Sequence, residues 1–142
     1  MYTETFGVTE TYKTELFYTI DQQFNSEQTR INNLFRDHLK LGINVSVRQV
    51  SLDFIRQKIA KGSVCIVLVN AALLVEETQK ASDSATRYLG HFIVVIGYDE
   101  VNKKIFYRNS AKSYYLSVID YNVFELARKS YGTDQDILFI YS

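Results

Sequence analysis

Proline and tryptophan are absent from this chain, and cysteine occurs once, at Cys65. Without proline no turn is set by a locked φ, and the turns fall to Gly, Asn, Asp and Ser. A lone cysteine excludes an intramolecular disulfide and fits a reducing compartment, the cytoplasm or nucleus. No apolar run approaches the ~20 residues of a membrane-spanning helix, and the first residues lack the basic-then-apolar pattern of a secretory signal. Net charge is missing too: 16 Lys and Arg balance 16 Asp and Glu. With no basic run besides, a nucleic-acid partner held by bulk charge is not expected. Two scattered histidines and one cysteine give no zinc spacing, and no Gly-rich phosphate loop is present.

What is present suits a packed core. At 142 residues the chain has the length of one domain, and 46% of it is hydrophobic, enough for a sizeable interior. Eleven tyrosines without surrounding basic residues read as core and rim packing rather than base-stacking platforms.

Periodicity gives an α+β layout. Thr3, Thr5, Val8 and Thr9 favour a short strand near residues 3–8, and Tyr12, Leu16, Phe17 and Ile20 fall at near-helical spacing. Asn25 reads as the N-cap of a helix carrying Ile31, Leu34, Phe35, His38 and Leu41, stopped by Gly42. His38 on that stripe reads as a half-buried helix residue, not a ligand. Residues 43–50 alternate as a half-buried strand, and Ser51 caps a helix with Leu52, Ile55 and Ile59 on one face. Residues 92–96 form a nearly unbroken apolar run rich in β-branched residues, as fits a strand buried on both faces, and residues 64–69 are another continuous β run. Residues 75–89 form a long polar interruption that leads straight to His91; it reads as a surface insertion or as the border of a site. After a polar loop at 109–117, Asp120 caps a helix with Val123, Phe124 and Ala127, and residues 137–141 make a closing strand.

The candidate chemistry sits in a hairpin over residues 90–110. His91 starts one strand and Asn109 ends the other, so antiparallel pairing brings them roughly opposite each other. Register decides whether they share a face: a loop of three or five residues puts them together, a loop of four puts them apart. A histidine oriented by an amide is the base-and-orienter half of a cysteine-nucleophile site. Cys65 lies mid-run in an apolar strand and reads as a buried, inert thiol. Asp134 and Asp136 alternate before the last strand and could share a face, but more simply satisfy the turn there.

The motif Gly90-His91-Phe92-Ile93-Val94-Val95 with Gly97-Tyr98-Asp99 and Phe106-Tyr107-Arg108-Asn109-Ser110-Ala111 resembles the guanylyl-cyclase-domain-containing family. Phe6-Gly7-Val8, residues 27–35 and the long C-terminal stretch 124–139 carry the same resemblance. That family is similar in fold to papain-like, bacteriocin-processing (C39-like) cysteine peptidases. The resemblance implies an α+β papain-like domain over residues 1–142, a mainly antiparallel sheet with helices packed on it, in which His91 and Asn109 hold the ancestral base and orienter positions. It also implies a cysteine-bearing segment ahead of the matched part, which this sequence lacks, so a chain shortened at its N-terminus is expected. Ser110 stands where the family usually has proline.

The expected function is a non-catalytic binding or scaffold role for want of a nucleophile. One alternative is a papain-like cysteine hydrolase in a longer form. The other is the metal-dependent conversion of GTP to cyclic GMP that the family name implies, the one case that would need GTP and Mg²⁺ or Mn²⁺. No resident cofactor or metal is otherwise expected, no membrane or nucleic-acid partner, and the residues name no substrate.

Overall fold

The computed structural model describes residues 1–7, 24–74, 88–109 and 116–141. In chain order they form β1 (Tyr2–Thr3), α1 (Phe24–Arg36), β2 (Ser46–Val47), α2 (Leu52–Ala60), β3 (Val64–Asn70), a 3-10 turn (Ala71–Leu73), β4 (Gly90–Asp99), β5 (Lys104–Asn109), β6 (Leu116–Asp120), α3 (Tyr121–Arg128) and β7 (Ile137–Ile140). The architecture is α+β, with one seven-stranded sheet in the order β2-β1-β7-β3-β4-β5-β6. β1 and β2 pair in parallel; the other pairings are antiparallel, so the sheet is mixed but mainly antiparallel. The helix at 12–20, residues 75–87 of the polar interruption, and Ser110 lie outside the described residues.

The core lies on one face of the sheet. Cys65, Val67 and Val69 of β3, Ile93 and Val95 of β4, Ile105 and Tyr107 of β5, and Ile137 and Phe139 of β7 are buried beneath α2 and α3. Ile55 of α2 and Phe124 of α3 are fully buried there, and burial of each such side chain contributes about 1.5–3 kcal/mol. α2 forms where the sequence places it: Ser51 Oγ accepts from Phe54 N at 3.1 Å, and Gly62 beyond its end adopts φ 87°. Arg128 of α3 is completely buried. It is ion-paired with Glu125 and donates from Nη2 to Val50 O at 3.1 Å, which offsets part of the cost of burying a charge, while Nη1 is buried without a hydrogen-bond partner among the described residues.

The opposite face corrects an expectation. Residues 92–96 are not buried on both sides: Phe92 is 56% exposed and Ile96 44%, with Val64, Val118 and Ile140 similarly open on other strands. β-branched composition alone does not separate a doubly covered strand from one with an uncovered apolar face.

Smaller corrections concern ends. α1 begins at Phe24, so Asn25 lies inside its first turn, and it stops at Arg36, leaving His38 and Leu41 in the following turns. A tight loop ends it: Ile43 N donates to His38 O at 2.9 Å, His38 Nδ1 lies 2.7 Å from Ile43 O, and Gly42 takes φ 71°. The strand read at residues 43–50 shrinks to Ser46–Val47, and the one read at residues 3–8 to Tyr2–Thr3, because each finds only two partners in the other. β6 falls at the end of the stretch read as a polar loop. Asp120 holds the N-cap position of α3 but makes no side-chain cap bond; it takes Lys104 Nζ at 2.9 Å instead.

Candidate functional site

A counting device in the β4–β5 hairpin sets the site. Asp99 pairs with Lys104, which leaves a loop of four residues. Asp99 closes it, accepting from Val101 N and Asn102 N at 2.9 Å. Hydrogen bonds from Asn102 are the largest influence on the Asp99 carboxyl and hold it below its ordinary range. A four-residue loop in a regular ladder would turn His91 and Asn109 to opposite faces. The ladder is not regular: its register shifts between Val95 and Gly97, leaving Ile96 as a bulge. One extra residue reverses the face of everything before it.

With the bulge in place, Ile93 is opposite Asn109 and His91 is opposite Val69 of β3. His91, Ile93 and Asn109 therefore share the core-side face, and His91 reaches Asn109 diagonally. His91 Nε2 lies 2.6 Å from Asn109 Oδ1. An amide oxygen only accepts, so Nε2 carries the proton and Nδ1 is left as the basic nitrogen. The arrangement can take a proton at Nδ1 and hold the resulting imidazolium through Nε2.

The approach to His91 is fastened by residues that sequence reading missed. Tyr88 Oη donates to Gly132 O at 2.7 Å. Its ring lies against two glycines: a Cβ on Gly90 would come within 2.6 Å of the Tyr88 hydroxyl, and one on Gly132 within 3.1 Å of the ring. Asn70, buried at the end of β3, accepts from Leu89 N at 3.0 Å and donates to Ser130 Oγ at 3.1 Å. Together these tie residues 88–90 to the turn that follows α3. A glycine immediately before His91 was the one visible signal.

The other candidates are placed elsewhere. Cys65 is completely buried opposite Val95. It lies four residues along β3 from the partner of His91, about 13 Å away. Burial pushes its thiol up to about 12, against a weaker opposing effect of the Arg128 charge. His38 is occupied by the loop that ends α1. Asp134 Oδ2 accepts from Thr5 Oγ1 at 2.8 Å. Burial, with the Asp134 charge adding to it and a hydrogen bond from Thr3 opposing, raises the Asp136 carboxyl to about 6. Asp134 thus anchors the N-terminal segment against the last strand, while Asp136 Oδ1 is buried without a hydrogen-bond partner among the described residues. Among the described residues no group of three or more His, Cys, Asp or Glu side chains is placed to hold a metal ion, and none of the helices described is long and apolar enough to cross a membrane.

A sequence profile described as guanylylate cyclase matches residues 1–140. The chain belongs to this family. It is 35% identical to Guanylyl cyclase 1 of Arabidopsis thaliana over 146 residues, covering 98% of this chain and 53% of that protein. This member of the guanylylate cyclase family therefore spans about half the length of the curated relative it matches. No solved structure matches it.

Proposed function

We propose that His91 and Asn109 are the base and its orienter in a papain-like acyl-transfer site, and that in this 142-residue chain the site binds a partner without turning it over. The observation that supports the pair is the 2.6 Å contact between Nε2 and Oδ1, which leaves Nδ1 basic. The absence of turnover rests on Cys65, the chain's one cysteine, sealed in the core. A base with no cysteine in reach forms no thioester intermediate. In a longer form that brings a cysteine to Nδ1, the same pair would serve hydrolysis of a peptide or isopeptide bond. Nδ1 takes the thiol proton, the thiolate attacks the carbonyl, and the imidazolium returns the proton to the leaving amine.

Side-chain ¹⁵N NMR of His91 tests the pair. The Nε2–H tautomer is expected in the native chain and a mixed population in Asn109→Ala; an Nδ1–H tautomer in the native chain rejects the assignment. Incubation with a fluorogenic peptide amide tests the other half. No turnover above that of His91→Ala is expected, and turnover that His91→Ala abolishes rejects the binding-only reading.

The family name and the Arabidopsis relative favour a second reading, metal-dependent formation of cyclic GMP from GTP. That chemistry needs carboxylates free to hold metal ions. Asp134 and Asp136 do not fit the requirement: Asp134 is engaged by Thr5, and burial biases Asp136 toward its neutral form. Cyclic GMP formed with Mn²⁺ and lost in Asp134→Asn would favour this reading over the first.

A further inference from the structure

β3 and β4 part at the end that carries His91. Leu68 N donates to Asp136 O across from β7 at 3.0 Å, and hydrogen-bonding residues alternate along an antiparallel ladder. Val69 and Ala71 therefore address β4. Val69 is opposite His91, and Asn70 is opposite Gly90. The next hydrogen-bonded pair is Ala71 and Leu89, and main chain makes only half of it. Ala71 N donates to Leu89 O at 2.8 Å. The return bond is not made, because Ala71 O accepts from Leu74 N at 3.1 Å and closes the 3-10 turn instead. Asn70 Oδ1 fills the gap. It accepts from Leu89 N at 3.0 Å, which extends the ladder, and from Ala72 N at 3.2 Å, which caps the turn. Asn70 Nδ2 donates to Ser130 Oγ at 3.1 Å, so the two ends of the amide have distinct partners. The residue is 6% exposed.

We propose that Asn70 is the positioning residue of the candidate pair: it carries the ladder on to Leu89 after the main chain of β3 has turned away, and so holds His91 within reach of Asn109. The role rests on the reading of His91 as a base. Three observations support it. First, among the described residues His91 has a strand partner on its β3 side alone, since the β4–β5 ladder ends at Ile93 and Asn109. The stretch from Leu89 to His91 therefore depends on its hold on β3. Second, the contact with Asn109 is diagonal, between positions that stand about 7–8 Å apart in a ladder. A shift of about 1 Å takes its 2.6 Å separation past hydrogen-bonding range. Third, the amide is itself tethered to the turn after α3 through Ser130. A water in its place would satisfy Leu89 N without fixing it. Through Asn70 the turn after α3 sets where the imidazole stands.

Side-chain ¹⁵N NMR of the full chain tests the role. The Nε2–H signature of His91 is expected to give way to a mixed population in Asn70→Ala. Asn70→Asp keeps one oxygen for Leu89 N and Ala72 N and offers the other to the Ser130 hydroxyl, three donors suited to a buried carboxylate. It is expected to restore the native signature. Ser130→Ala, which releases only the tether, is expected to fall between the two. Ile55→Ala is the control. Ile55 is fully buried in α2, which Arg56 and Glu100 tie to the far end of β4. That variant is expected to lower the urea midpoint at least as far as Asn70→Ala and to keep the signature. Retention of the signature in Asn70→Ala, its loss in Asn70→Asp, or equal loss in Ile55→Ala would each overturn the assignment, while a native Nε2–H signal leaves the reading of the pair in place. A native Nδ1–H tautomer would reject that reading and the role of Asn70 with it.

Discussion

Gly90 shows how little freedom surrounds the candidate base. A methyl group at this position would meet the Tyr88 hydroxyl, which Gly132 O holds in place. Gly90→Ala is expected to destabilise the chain by about 1–3 kcal/mol, and Tyr88→Phe in the same chain to recover part of the loss, because the clashing atom is gone. Urea midpoints of the two variants check this. Asp136 carries a different constraint. Its folded-state carboxyl titrates near 6 against an ordinary 3.8, chiefly through burial. Between those values the folded state keeps a proton that the unfolded chain has lost, so stability falls as pH rises through this window and stays lower above it. Asp136→Asn is expected to remove that decline, amounting to about 1–3 kcal/mol, as measured by urea unfolding at pH 4.5 and pH 7. At this scale the nearness of His91 to Asn109 and the burial of Cys65 were legible in the sequence, because each follows from residue type and local pattern. It hid Tyr88 and Asn70, whose partners Gly132 and Ser130 lie 44 and 60 residues away.

Among the elements, the β4–β5 hairpin carries the most information in its length. Its loop has the four residues that would separate the candidate pair in a regular ladder, and the bulge at Ile96 restores their common face. Deleting Ile96 leaves Val95 opposite Tyr107 and Gly97 opposite Phe106, an unbroken ladder, so the Nε2–H signature of His91 is expected to survive. Deleting Val94, inside the paired stretch, turns His91 to the other face, and the signature is expected to vanish. Both are read in the same ¹⁵N spectrum. The hairpin itself was legible from its two apolar runs and the Asp-Glu-Val-Asn turn. The bulge was not, because a strand with one residue too many has the same composition as a strand without it. β6 was missed for a related reason: Leu116 and Val118 sit on an edge with their side chains exposed, too short a pattern to stand out from the polar residues before it.

For the whole molecule, the α+β class and the dominance of antiparallel pairing followed from the order of helical and extended patterns. Coverage did not. Alternation along β3 and β4 is masked in sequence because apolar residues occupy both sides of the pleat, and only the placement of α2 and α3 tells which side is core. Phe124, completely buried between α3 and the sheet, sits where that coverage is tightest, and Phe124→Ala is expected to cost about 3–5 kcal/mol by urea unfolding. The exposed Phe92 is expected to tolerate replacement by Lys within about 0.5 kcal/mol.

That asymmetry makes the molecule two-sided in the manner of a surfactant. The core and the helices α2 and α3 lie on one side of the sheet, while Phe92, Ile96, Val118 and Ile140 are exposed on the other. A particle of this kind adsorbs at an air–water boundary with its oily side outward and lowers surface tension as it accumulates there. Shaking, foaming and thin aqueous films are then the conditions expected to remove this chain from solution.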